Sequence, residues 1–358
     1  MNTEQQQNIV GDSNAVLPAA DRIDTLVTLD IPSRGVIGKL YAMARNKSNA
    51  PLCLQAARKL KESLRGKETV FIVTGWHDRP AVNSKIAETD GPLGAVVLAT
   101  TLHKVTGVVP FLLVADDLVN PIKALLCTAG LKPLDIEEAL TGTEKSPSPV
   151  HSAVVLEFSK NSVQAQSLAE RLLETYQPGA VVAIEVGGMN EQGEIHTFRG
   201  EVVTDNNPKF DHLFQAALDA GILTIGIGDG GNELGFGSIH DQVAQEIPKG
   251  EDAKSGGIAP VTPVDVLVPA AVSNWGAYGI VACLALLEGN VSLAHTLEQE
   301  QQLLERASQQ GLIDGISGYV QPSVDGLDAS IHQSATALLK QIVVSALDKL
   351  KKGMQNGH

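Results

Sequence analysis

The chain has 358 residues, 43% hydrophobic and 19% charged, enough for one large or two ordinary globular domains and too apolar for a disordered polymer. Asp and Glu number 41 against 27 Lys and Arg, a net charge of −14, and aromatic residues make up 4%, so neither nucleic acid nor an anionic membrane surface is expected as a partner. Cys53, Cys127 and Cys283 lie too far apart for a disulfide framework or a structural zinc site, and no apolar run reaches the roughly 18 residues of a membrane span.

Residues 1–20 read as a polar tail without the basic and apolar regions of a signal peptide, so a cytoplasmic location is expected. Residues 21–350 read as one α/β domain. Helical spacing over 50–65 precedes a β-branched run at 69–75. A helix is expected over 92–106, with Pro92 in its first turn, then a strand over 108–116 and a helix over 117–140 interrupted near Pro133. The Ser/Pro-rich stretch 143–150 is a surface connection where the domain could subdivide. Beyond it come a strand at 153–158, a helix at 162–175, a strand at 180–188, a helix at 208–220, and strands at 222–231 and 264–270. Helices near 275–288, 295–310 and 330–350 close the chain. Strands separated by helices predict a mainly parallel, doubly wound sheet of six or more strands with helices on both faces. Ligands of such sheets bind beyond the carboxyl ends of the strands, and the polar, glycine-rich segments of this sequence do follow strands.

After the strand at 69–75 comes TGWHDRP, where Thr74 and Gly75 fall at the sheet edge. Arg79 could reach an anion as a two-pronged donor, or the segment is an ordinary strand-to-loop exit. Glu88, Thr89, Asp90 and Gly91 stand at the start of the helix over 92–106. Thr89 or Asp90 can cap that helix, while the backbone N–H groups there can hold an anion. Two acids beside such a site suit a ligand that also carries an ammonium group. In IEVGGMNEQGEIHTFRG (184–200), Glu185 lies near a strand end, Asn190 and Gly193 form a turn, His196 reads as a surface or hairpin residue, and Arg199 is either a contact for a ligand carboxylate or half of an exposed ion pair. Ser273 caps the helix near 275–288 and Asn274 is placed to bond a ligand carboxylate. Arg34, before an early helix, is either an anion contact or a surface charge, and DGISGYVQPSVDG (314–326) is a polar loop without an assigned role.

The sharpest segment is GIGDGGNELGFGS (226–238), with six glycines in twelve residues. Its G-x-G-x-x-G spacing is not a dinucleotide fingerprint, because Asp229 and Glu233 would face a pyrophosphate with like charge, and no Lys-Ser/Thr pair makes it a P-loop. No nucleotide cofactor is expected. Gly230 and Gly231 let the backbone approach a ligand closely. Asp229, Asn232 and Glu233 can hold a hard divalent cation such as Mn²⁺ or Mg²⁺, or do acid–base work on an amine.

ETDGPLGA (88–95), TGW (74–76), the segment from Glu185 to Arg199 and above all GDGGNELGFG (228–237) resemble the D-glutamate cyclase-like family, corresponding to the carboxy-terminal domain of vertebrate D-glutamate cyclase. The likeness runs from about Asp21 to Asp328. It implies dehydrative ring closure of D-glutamate to 5-oxo-D-proline and the reverse hydrolysis, with a divalent cation compatible. That chemistry needs a base for the α-amine, stabilisation of the tetrahedral oxyanion and a clamp for the α-carboxylate. Glu88, Asp90, Asp229 and Glu233 can supply the first, glycine-loop N–H groups or a metal on Asp229 and Glu233 the second, and Arg79 or Arg199 the third. The expected partner is a small anionic, amino-acid-like substrate, and self-association into a homo-oligomer is compatible with the sequence. The competing readings are a hydrolase or isomerase of another small anionic metabolite, and a ligand-sensing module that partners a separate catalytic chain.

Overall fold

Short β-branched runs bounded by glycine do fold as buried strands. A computed structural model describes residues 16–142, 148, 150–250 and 256–355; most of the expected connection at 143–150 and of the expected tail lies outside them. Seven strands, β1 (Thr69–Thr74), β2 (Val109–Val114), β3 (Lys132–Pro133), β4 (Ser152–Glu157), β5 (Ala180–Ile184), β6 (Leu223–Gly228) and β7 (Val266–Pro269), form one sheet in the order β3-β4-β2-β1-β5-β6-β7. Every pairing in it is parallel.

The period-two alternation of strand side chains separates two cores. Val70 and Ile72 of β1 and Val182 and Ile184 of β5 enter the larger one. Helices α1 (Leu17–Val27), α2 (Ile37–Arg45), α3 (Leu52–Ser63), α4 (Pro92–Thr106), α5 (Val119–Ala129), α9 (His240–Glu246), α10 (Ser273–Leu287), α11 (Leu297–Gln309) and α12 (Ala329–Gln355) contribute to it. Phe71, Val73, Val181 and Ala183 face the smaller core beneath α6 (Ile136–Thr141), α7 (Ser162–Tyr176) and α8 (Asp211–Asp219). The fold is therefore doubly wound. All residues of α10 are buried, as a helix apolar around its whole circumference requires.

From β1 the chain proceeds through β2 toward one edge of the sheet; from β5 it proceeds through β6 and β7 toward the other. The crevice between the carboxyl ends of β1 and β5 is the topological switch point, where ligands of such sheets bind.

Several boundaries differ from the sequence expectation. The helix over 117–140 is interrupted at Pro133 as expected, into α5 and α6, but the interruption is the two-residue edge strand β3, where Pro133 has no N–H to donate. The strand expected over 180–188 stops at Ile184, since Glu185 turns into the left-handed region at φ 49°. The run 222–231 leaves the sheet after Gly228. Helix α1 begins inside the stretch expected to be tail. A hairpin of β8 (Ser323–Val324) and β9 (Leu327–Asp328), turned by Asp325 and Gly326 at positive φ, was not expected. Among the described residues no helix is long and apolar enough to cross a membrane.

Candidate active site

Two helix N-termini meet at the carboxyl edge of the sheet, and each is capped from the other chain segment. Asn274, at the start of α10, accepts from Gly91 N (3.0 Å) and Gly94 N (2.6 Å) through Oδ1 and donates to the Thr89 carbonyl (3.1 Å). Asp90, just before α4, accepts from Ser273 N and Asn274 N, both at 2.8 Å. This corrects three expectations. The anion site at the start of α4 is filled by the Asn274 amide. Neither Thr89 nor Asp90 caps α4. Ser273 does not cap α10, because its hydroxyl instead donates to Glu185 Oε2 at 2.5 Å. Glycine is required at 91, where φ is 92° and a Cβ would stand 2.8 Å from the Glu185 side chain and 2.9 Å from the Ile184 carbonyl.

The loop after β6 closes on its own acid. Glu233 accepts from Asp229 N (3.1 Å) and Gly230 N (2.7 Å) through Oε1 and from Gly231 N (2.8 Å) through Oε2. The glycine N–H groups expected to stabilise an oxyanion are thus held by a carboxylate. Residues 186–188 pair with 232–234, setting Glu185 beside Glu233. On the other side, Thr89 N bonds the Ile313 carbonyl (2.8 Å) and the Thr89 hydroxyl bonds the Ser323 carbonyl (2.8 Å), tying the Glu-Thr-Asp-Gly string to the loop that leads into the β8–β9 hairpin.

These ties bring residues distant in the chain around one cavity of about 480 Å³. Glu88, Glu185, Asp229, Glu233 and Asp325 line it with Arg34 among them, and all five acids are buried. Arg34 Nη1 lies 2.5 Å from Asp229 Oδ2 and Nη2 lies 2.9 Å from Asp325 Oδ2. Burial opposes the guanidinium charge, but Asp229 and then Asp325 outweigh it and fix Arg34 as a cation. Burial, then Asp229, pushes Asp90 and Glu233 up to about 7. Glu185 is driven well above the carboxylate range by burial and then Asp229, and Glu88 by burial and then Asp90. At neutral pH the cluster therefore holds protons that an exposed carboxylate would have lost.

Oxygen-only donor sets suit a hard divalent cation. Ligand oxygens of Asp90, Asp229 and Asp325 lie within 4.8 Å of one another, and so do those of Glu185, Asp229 and Glu233. Asp229 belongs to both sets.

Of the residues singled out in the sequence, Arg79, Glu88, Glu185, Arg199, Asp229, Asn232 and Glu233 line the cavity, and Asp90 lies against Asp229 beneath it. Arg79 is committed: it pairs with Asp78 and donates to the Gly315 carbonyl at 3.0 Å. Thr74, Gly75, Thr89, Gly91, Gly230, Gly231, Ser273 and Asn274 shape the backbone behind the cavity rather than line it. Asn190 is also away from it, with Oδ1 accepting from Gln192 N and Glu194 N and Nδ2 donating to the Gly257 carbonyl. His196 bridges Val202 in a hairpin, but it is buried rather than on the surface. Asp325 was missed, although its signal was present: an Asp-Gly pair between short apolar runs marks a tight hairpin. Asp314 organises the same loop, accepting from Ile316 N, Ser317 N, Gly326 N and the Ser323 hydroxyl.

Residues 10–341 match the family described as D-glutamate cyclase-like, C-terminal. Human mitochondrial D-glutamate cyclase is 27% identical over 356 residues, an alignment covering 90% of this chain and 51% of the human protein, so the chain spans about half the length of that relative. With the match extending across both sheet halves and every cavity-lining acid, the chain belongs to the D-glutamate cyclase-like family.

Proposed function

We propose that the chain is a D-glutamate cyclase-type lyase, closing D-glutamate to 5-oxo-D-proline with loss of water and catalysing the reverse hydrolysis. One observation carries this reading: a cavity in which five buried carboxylates surround the half-buried Arg34 guanidinium, with Glu233 pushed up to about 7 and Glu88 and Glu185 raised by burial and by their acidic neighbours. Such a floor takes an ammonium group. Its raised acids exchange protons at physiological pH.

The reaction moves two protons from the α-ammonium to the departing oxygen. Glu88 is assigned as the base. Among the described residues its carboxylate has no hydrogen-bond partner, whereas Asp90, Glu185 and Glu233 accept structural hydrogen bonds and Asp229 is paired with Arg34. Asp229 and Glu233 hold the ammonium in place, and Arg199, exposed at the mouth, meets a substrate carboxylate. Burying amine and carboxyl in contact lowers the barrier by several kcal/mol through proximity alone. Mn²⁺ or Mg²⁺, held by Asp229 with Glu185 and Glu233 or with Asp90 and Asp325, would neutralise the cluster and polarise the side-chain carboxyl.

The test is direct. Purified protein is incubated with D-glutamate and, separately, with 5-oxo-D-proline, with and without Mn²⁺ or Mg²⁺, and products are resolved by chiral chromatography. Interconversion is expected. No turnover in either direction under any of these conditions overturns the reading.

A further inference from the structure

The cavity is larger than its proposed ligand and changes character toward the mouth. D-glutamate has about ten non-hydrogen atoms, and even at a liquid water's share of volume for each, about 30 Å³, it fills only about 300 Å³. The cavity holds about 480 Å³. The acids sit on the buried floor, where they suit the ammonium group of a glutamate. The remaining wall is of another kind: Ile316 is 52% exposed, Phe198 is half-buried, and the exposed Arg199 has no ion-pair partner among the described residues. With Arg199 meeting a carboxylate of the bound glutamate, the exposed Ile316 and the half-buried Phe198 beside it are left uncovered on the rim. They complement an apolar group attached beyond the side-chain carbonyl.

We infer that the site also takes D-glutamate extended through its side-chain carbonyl, as a γ-D-glutamyl amide of an apolar amino acid, and releases that amino acid as it closes the ring. This rests on the cyclase reading and keeps its chemistry. The α-nitrogen forms a bond to the side-chain carbonyl carbon, and the bond from that carbon to the leaving nitrogen breaks. The two protons lost by the α-ammonium end on the leaving amine, which departs as an ammonium. No water, oxidant or reductant is consumed.

The experiment compares γ-D-glutamyl-L-leucine with D-glutamate under the same metal conditions, following 5-oxo-D-proline and free leucine. The dipeptide is expected to show kcat/KM at least tenfold above D-glutamate. Ile316→Asp, at an exposed position that places no burden on folding, should cut the ratio of the two kcat/KM values at least fivefold. Leucine release without D-glutamate turnover supports the inference and makes the amide the substrate proper. Turnover of D-glutamate with no leucine released overturns the inference and leaves the cyclase reading standing; failure of both substrates overturns both. A ratio unchanged by Ile316→Asp removes the mouth from the argument and overturns the extension as built here.

Discussion

Asp90 and Asn274 cap each other's helices. The Asp90 carboxylate closes the N-terminus of α10, and the Asn274 amide closes that of α4. Because both helices start at the cavity, this pair fixes its rear wall. It also places a carboxylate against the positive end of a buried 15-residue helix. Asn274→Ala leaves the buried Gly94 N–H and the Thr89 carbonyl without that partner, while Gly91 N keeps its bond to Asp90 Oδ1, and is expected to cost about 3 kcal/mol. Asp90→Ala should be comparable, and the double variant should lose at least about 1 kcal/mol less than the sum, because each cap presupposes the other helix in place. Urea unfolding of the four proteins at pH 6 measures this. Strict additivity would show that the caps act independently.

The acidic floor sets a pH dependence of stability in the ligand-free protein. Asp90 and Glu233 rise from ordinary unfolded values to about 7 in the folded chain, and Glu88 rises too. A carboxyl whose folded pKa is raised stabilises fully below its unfolded value and loses that contribution as pH climbs through the folded value. The contribution of Asp90 and Glu233 is therefore present near pH 4 and gone above about pH 7, and that of Glu88 fades as pH climbs through its own raised value. Glu88→Gln should leave stability nearly unchanged at pH 5 and raise it at pH 8, on the order of 1–2 kcal/mol. Thermal unfolding across that range decides it; a variant less stable than wild type at pH 8 contradicts the assignment.

Arg34 lowers the pKa of Glu88, Asp90 and Asp325, although burial dominates all three. Arg34→Gln removes that pull, so the acids rise further. The acid limb of the kcat/KM profile should move up by about one pH unit. An unmoved limb would detach Arg34 from the titrating base.

His332 holds the hairpin that delivers Asp325. Trp275 Nε1 donates to His332 Nδ1 at 3.0 Å, which puts the ring proton on Nε2, facing the Val324 and Leu327 carbonyls at 3.2 and 3.1 Å. Burial keeps the ring neutral by lowering its pKa. His332→Ala is expected to cut kcat at least tenfold while KM changes little, and His332→Gln, which can both accept and donate, should restore part of it. Equal loss in both variants would point to packing rather than positioning.

The sheet was legible in the sequence because fully buried strands write themselves as short β-branched runs, and the rule that loops after parallel strands share one edge pointed to 74–79, 88–91, 185–199 and 229–233 as one site, of which Arg79, Glu88, Glu185, Arg199, Asp229 and Glu233 line the cavity while Thr74, Gly91 and Asn190 do not. Partnerships were not legible. Asn274 and Ser273 have the chemistry of ligand contacts, and nothing local shows that Gly91 and Glu185, far away in the chain, take their hydrogen bonds. The same holds for the loop glycines, whose N–H groups turn inward onto Glu233. Local sequence reports what a side chain can offer, and only the tertiary fold decides which partner takes it.

Arg34 reaches the cavity from the loop between α1 and α2 and Asp325 from the β8–β9 hairpin, and they meet at 2.9 Å. The pocket is thus closed jointly by an early loop and a late hairpin. A chain clipped ahead of that hairpin by a protease keeps all seven strands of the sheet and yet has no finished chamber.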